Sequence, residues 1–367
     1  MQLSDLREIF KHFAVDAIPT AGDVHGEGLI NSTLAIKTDK KKTYILQQIN
    51  TYVFKKPDEV MENIVGVTAF LSKKIALAGG DVMRQTLQPI PTVDGKFFYR
   101  DEKTDACWRL YHFIDGATAY QSVDREGILF EAAKAFGNFQ RQLSDYPADT
   151  LYETIPDFHN TAARYAAFEE ALAADRAGRA ASVTEDLQVL RDYAPYATMI
   201  VDRLADGRLP MRVTHNDTKL NNVMIDDATG KGLCVIDLDT VMPGSLLYDF
   251  GDSVRFAANN GKEDDRDLSN VWLREDRYEE YVSGFLSGIG DSITEEELNL
   301  LPESVLILTY ELALRFMTDY LNGDLYFKTL SEDHNLVRTR AQIRLMENIK
   351  EQLQRLHTIT QTAANKA

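Results

Sequence analysis

Val213-Thr214-His215-Asn216-Asp217-Thr218-Lys219-Leu220-Asn221-Asn222-Val223-Met224-Ile225 is the stretch on which the reading of this chain turns. It holds His-x-Asp, four further residues, and then Asn. That spacing suits phosphoryl transfer: a carboxylate accepts the proton of an attacking hydroxyl, and an amide five residues on holds a magnesium ion. Both groups must lie on one side of the transferred phosphoryl, which a short loop achieves. The apolar run Val223-Met224-Ile225 reads as a short strand anchoring the loop. His215 reads as a brace for the loop and not as a proton carrier. Downstream, Leu233-Cys234-Val235-Ile236-Asp237-Leu238-Asp239 reads as a buried strand ending in carboxylates, and 226–231 is a turn by composition. Loop, strand, turn and strand would return Asp237 to the neighbourhood of Asn222, which makes Asp237 the expected second metal ligand.

Asp249-Phe250-Gly251 spells the metal motif of protein kinases, but it does not follow the hairpin directly. Asp249 is therefore expected to brace the loop from behind. The string Asp239-Thr240-Val241-Met242-Pro243-Gly244-Ser245, with Asp249-Phe250-Gly251-Asp252 after it, adds specificity that His-x-Asp alone lacks. Residues 213–256 resemble the aminoglycoside-phosphotransferase-like kinase family, with further likeness at Tyr44–Gln48, Arg212–Asn222 and Glu332–Arg340. The resemblance implies an α+β, two-lobed, protein-kinase-like fold. Residues 1–115 would form a small antiparallel β nucleotide-binding lobe, and 116–367 a large helical lobe with the catalytic loop and acceptor site. It implies ATP as co-substrate, Mg²⁺, Asp217 as the base, and Asn222 and Asp237 as metal ligands.

More closely, the chain is similar to kinases of that family that phosphorylate N-acetylhexosamines at the anomeric hydroxyl. This implies that Asp217, Arg315 and Tyr326 hold the sugar, with Phe256 offering its face to the ring or the acetamido methyl. From the residues alone, Arg315 reads as the partner of Asp319 at i+4, and Phe256 reads equally well as core. Another acceptor on the same fold is the alternative: a different hexose, an aminoglycoside, choline or homoserine. A nucleotide-binding protein without turnover is a third reading, motivated by a missing lysine described below.

Composition narrows the field. The 367 residues suffice for two cores, and 44% are hydrophobic, which argues against disorder. A net charge of −17 argues against nucleic acid or an anionic membrane as partner. The two cysteines, Cys107 and Cys234, lie in apolar runs and read as buried thiols. The N-terminus shows neither a basic nor an apolar targeting region, and no run is long enough to span a bilayer, so a cytoplasmic protein is expected. The sequence gives no sign of an obligate protein partner.

Along the first lobe, Leu6–Phe13 has helical spacing, and 34–38 with 43–49 flank the polar turn Asp39–Lys42 as a β-hairpin. Gly26 and Gly28 precede this hairpin. They would let backbone amides approach phosphates, although an ordinary turn fits Gly-Glu-Gly as well. Asn31 and Gln48 complete the expected nucleotide contacts. The third-strand lysine of protein kinases is absent, because the equivalent strand carries the neutral Gln47 and Gln48. Residues 57–74 are helical; Glu59 and Glu62 there read as surface. Strands are expected at 83–87, 97–100 and 107–113, and Ile114-Asp115-Gly116 reads as the hinge. Helical patterns follow at 124–143, 160–180, 184–206, 278–286, 294–321 and 336–357, with a Thr294/Glu297 capping box. The acidic loop 264–267 reads as solvated. The scattered histidines argue against a zinc site.

Overall fold

The computed structural model describes residues 2–26, 30–123 and 125–366. The chain forms two compact units. The first comprises Met1–Ala119, Asp145–Pro156 and Val223–Pro243; the second comprises Tyr120–Ser144, Asp157–Asn222 and Gly244–Ala367.

The first unit is built on an antiparallel sheet. Its strands are β1 (Pro19–Val24), β2 (Ser32–Thr38), β3 (Thr43–Ile49), β4 (Pro89–Ile90), β5 (Tyr99–Arg100) and β6 (Cys107–His112), in the order β1-β2-β3-β6-β4 with β5 also on β6. The expected hairpin is β2–β3, closed by a turn in which Lys41 takes φ 57°. Because side chains alternate across a strand, Tyr44, Leu46, Trp108 and Leu110 share one face. They pack with Leu6, Ile9 and Phe10 of helix α1 (Leu3–Phe10), spaced i, i+3, i+4. Burying each such side chain is worth about 1.5–3 kcal/mol. The opposite face carries Ile45, Gln47, Arg109 and Tyr111.

Helix α2 (Pro57–Leu77) starts on Pro57. Its buried Asn63 accepts from Tyr152 N at 2.9 Å and donates to Val241 O at 2.9 Å. The strand expected at 83–87 is instead a helical turn, α3 (Val82–Gln85). Asp81 caps it by accepting from Met83 N at 3.0 Å, so the capping residue overrides the β-like composition. Strand β7 (Ala117–Ala119) follows. After strand β8 (Arg212–Thr214) of the second unit, the chain returns as the hairpin β9 (Val223–Asp226) and β10 (Gly232–Val235), with β7 on the outer edge of β9. Val235 pairs with Val223. Cys107 and Cys234 are buried free thiols.

The second unit is helical: α4 (Ile128–Gln142), α5 (Thr161–Ala174), α6 (Thr184–Asp192), α7 (Met199–Ala205), α8 (Leu246–Ala257), α9 (Glu275–Ile289), α10 (Glu295–Asn322) and α11 (His334–Ala364). The two long patterns expected at 160–180 and 184–206 are broken. Asp175 takes φ 36° and ends α5, and a 3₁₀ turn containing Pro195 separates α6 from α7. Helices α4 and α9 touch backbone to backbone: a Cβ on Gly288 would lie 2.2 Å from the Lys134 carbonyl oxygen, so only glycine fits. The Thr294/Glu297 capping box forms, and Glu297 also holds Arg212 in a buried bidentate pair at 2.6 and 2.7 Å. The loop at 264–267 is solvent-accessible, as expected, and carries surface ion pairs. Asp264 meets His334 Nε2 at 3.1 Å, and Arg266 meets Asp333 at 2.7 Å. Among the described residues no helix is long and apolar enough to cross a membrane.

Candidate active site

Strand β8 delivers the chain into the loop, and Asp249 holds the loop's shape. Its carboxylate accepts from His215 N at 3.0 Å, from Asn216 N at 2.8 Å and from the Gln140 amide at 2.6 Å. Its backbone carbonyl accepts from the Thr218 hydroxyl at 2.6 Å, and Ser253 donates to Thr218 O. His215 is fully buried, edge-on to Phe136 and Phe139. Its Nδ1 accepts from Asp217 N at 3.2 Å, which commits the imidazole to a bracing role. Asn216 takes the left-handed conformation, φ 64°, which Asn tolerates better than most residues.

This scaffold presents Asp217. Lys219 Nζ lies 2.6 Å from Asp217 Oδ1. The Asn222 amide nitrogen donates to Asp217 O at 2.8 Å and to Asp217 Oδ2 at 3.2 Å. The nitrogen of Asn222 is thus taken, which turns its carbonyl oxygen away from Asp217. Burial works against the charge of Lys219, but Asp217 and Asp252 more than offset it and hold its pKa above the ordinary value.

Asp249-Phe250-Gly251 is wholly structural. All three residues lie in α8 and are buried. Phe250 packs against Tyr278, Tyr281 and Phe285, and a Cβ on Gly251 would lie 2.5 Å from Ser304 O of α10.

Beyond the loop the second unit holds a buried ionic network. Arg255 grips Asp252 at 2.8 Å and reaches Glu263 at 3.6 Å. His159 Nδ1 lies 2.9 Å from Glu311, whose other oxygen accepts from the Thr161 hydroxyl at 2.8 Å. Burial disfavours charge on both His159 and Glu311, yet their mutual attraction wins: the His159 pKa is raised and the Glu311 pKa is lowered. Arg315 and Arg164 lie within electrostatic reach of Glu311. Among the described residues, His159 Nε2 and Arg164 Nε are buried without a hydrogen-bond partner.

The pair has a pH signature. A raised histidine pKa stabilises the fold fully below the unfolded value of about 6.5, and that stability is lost as pH rises through the folded pKa. Melting temperature should therefore fall as pH climbs above neutrality. Glu311→Gln should flatten that slope in a thermal-shift series; equal slopes would show that the pair does not titrate as described.

Arg315 makes no i+4 pair with Asp319. It lies over the Phe327 ring, 5.5 Å from the centroid. Asp319 instead accepts from Leu325 N, Tyr326 N and Phe327 N at 2.8–2.9 Å and from Asn335 at 2.8 Å, organising the loop that carries Tyr326. Tyr326 is 75% exposed and Phe256 49% exposed, so neither is core.

In the first unit, Asp237 takes the left-handed conformation, φ 61°, at the end of the β9–β10 hairpin. Gly26 has φ 75° and open space around its α-carbon, whereas Gly28 lies outside the described residues. Asn31 accepts from Asn50 N at 2.9 Å and donates to Asp239 at 2.5 Å. Gln48 stands opposite Trp108, on the face turned to α1. Sequence reasoning missed Arg109. This guanidinium, 1% exposed, pairs with Asp239 and donates to Gln47 at 3.1 Å. An arginine alone in an otherwise apolar strand was the only available signal.

The family model of phosphotransferase enzymes (APH) matches residues 23–281. Among solved structures, the chain resembles an aminoglycoside phosphotransferase from Alicyclobacillus acidocaldarius at 12% identity and TM-score 0.62, covering 95% of this chain and 96% of that one. A microcompartment-associated aminopropanol kinase matches at 15% and 0.59, covering 97% and 99%. Amicoumacin kinase in complex with AMP-PNP and Ca²⁺ matches at 14% and 0.56, covering 96% and 93%. These likenesses show the protein-kinase-like fold, with its antiparallel sheet and helical lobe. The matched family model spans the whole loop and hairpin described above, and the chain belongs to the APH phosphotransferase enzyme family.

Proposed function

We propose that this chain is an ATP-dependent kinase of a neutral, hydroxylated small molecule, with an N-acetylhexosamine phosphorylated at its anomeric hydroxyl as the acceptor. The observation that carries the reading is the braced loop, in which Asp217 is held between Lys219 and the Asn222 amide. Asp217 orients the acceptor hydroxyl and takes its proton. The anomeric hydroxyl is the most acidic on a sugar, so a carboxylate suffices. Lys219 adds positive charge where the phosphoryl oxygens gather. Asn222 and Asp237 are the proposed pair of hard oxygen donors. Mg²⁺ held there would neutralise charge on the phosphates of ATP. Gly26, Gly28 and Asn31 remain the proposed nucleotide contacts, with residues 1–115 and 116–367 as the two lobes; Gln48, on the sheet face turned to α1, falls outside that set.

The acceptor class follows from charge. A choline-like cation would need carboxylates without partners. Here Asp252, Glu263, Glu311 and Asp264 already face Arg255, His159 or His334. Three arginines, Arg164, Arg255 and Arg315, would repel a cation. The open hydrogen-bonding capacity at His159 Nε2 and Arg164 Nε suits a polyhydroxylated acceptor, with Arg315, Tyr326 and the Phe256 face as the proposed sugar contacts. ³¹P NMR of ATP with N-acetylglucosamine or N-acetylgalactosamine should show an anomeric sugar phosphate and ADP. A 6-phosphate would overturn the regiochemistry, and turnover of choline with neither sugar used would overturn the acceptor class.

A further inference from the structure

We propose that Arg109 supplies, from β6, the fixed cation that kinase sheets otherwise carry as a lysine on the third strand. The inference deepens the kinase reading above and rests on it. Gln47 and Arg109 are directly opposed in the antiparallel β3–β6 ladder, and Arg109 Nε donates to Gln47 Oε1 at 3.1 Å. Like charges opposite each other destabilise a sheet, so this cross-strand pair has room for one cation. A lysine at 47 and an arginine at 109 exclude each other, which accounts for the neutral Gln47.

The surroundings of Arg109 match the task. In protein kinases the strand lysine is held by a glutamate of the following helix. Here the acids of that helix turn outward: Glu59 pairs with exposed Lys56 at 2.7 Å. α2 instead gives Met61, whose sulfur lies 3.9 Å from Arg109 Nη1, and the partner carboxylate is Asp239. Asp239 lies two residues after the proposed metal ligand Asp237. Its other oxygen accepts from Asn31 Nδ2 at 2.5 Å, at the end of the connection that carries Gly26. Through Asp239, Arg109 is thereby joined to Asn31, the residue before β2. Burial pulls its pKa down; Asp239, Tyr111 and Asp237 reverse this and keep it charged. One fixed cation beside two carboxylates leaves a single net negative charge, which a divalent ion converts to a positive one. A buried ion pair can often be replaced by neutral groups without loss of stability, so stability alone does not account for this one. Arg109 is a positioning residue, acting through Asp239 and the turn it holds.

The test uses the full chain, Mg-AMP-PNP calorimetry, melting temperature, and separate KM values for ATP and acceptor. Arg109→Gln alone would strand a buried carboxylate, so the informative variants are Arg109→Gln/Asp239→Asn, which is neutral, and Arg109→Gln/Gln47→Lys, which returns the cation to β3. The neutral variant should melt close to wild type, bind Mg-AMP-PNP about tenfold or more weakly, raise KM for ATP in proportion, and leave KM for the acceptor unmoved. The charge-transfer variant should recover most of the affinity. Wild-type affinity in the neutral variant, or no recovery in a folded charge-transfer variant, overturns the proposal. If the wild-type chain itself fails to bind Mg-AMP-PNP, the kinase reading falls first and this proposal falls with it.

Discussion

Asp217→Asn should lower kcat by about 10²–10⁴-fold, the usual worth of a positioned general base, while leaving Mg-nucleotide affinity and melting temperature near wild type. The substitution is isosteric, and the loop does not depend on the Asp217 carboxylate for its shape. That shape comes from Asp249, Thr218 and Ser253. The Asn222 amide would keep its bond to Asp217 O and lose only the longer one to the carboxylate. Lys219 would lose its counter-ion but is partly exposed and can reach solvent. The effect should therefore fall on turnover and not on KM for ATP. Turnover within a factor of about three of wild type would mean that the proton leaves by another route. A large rise in KM for the acceptor, with kcat intact, would make Asp217 a binding group only.

Much of this arrangement was legible in the chain because its determinants are local. The β2–β3 hairpin follows from alternation around a lysine-rich turn, the α10 start from Thr294 and Glu297, and the loop from one spacing. The bracing role of Asp249 was legible too, because a kinase-like metal motif that does not directly follow the hairpin cannot supply the carboxylate at its end. What escaped depends on partners distant in sequence. Arg109 sits in Cys107-Trp108-Arg109-Leu110-Tyr111, which reads as an ordinary strand; its meaning comes from Asp239, which reaches it only through the fold. Asp319 looked like the i+4 partner of Arg315, yet three consecutive backbone N–H groups of the following loop compete for it and win. At 83–87 the apolar residues favoured a strand, and a single capping aspartate reversed the outcome.

Asp249→Ala should be the most damaging single change to the second unit. It leaves His215 N, Asn216 N and the Gln140 amide facing a buried void, and each unsatisfied buried donor costs about 1–3 kcal/mol. Even with partial relaxation the loss should exceed about 3 kcal/mol. Asp249→Asn should fall between, since a carbonyl oxygen in place of Oδ2 still accepts from His215 N and the Gln140 amide, while Asn216 N loses its acceptor at Oδ1. Gln140 keeps its 3.1 Å bond to Val213 O in that arrangement. Turnover should follow the same order as melting temperature, wild type above Asp249→Asn above Asp249→Ala, because the braced backbone at His215 and Asn216 aims Asp217. This pattern separates a brace from a metal ligand. A metal ligand at 249 would lose turnover and metal affinity in the Asn variant while the melting temperature held, whereas a brace loses stability and turnover together.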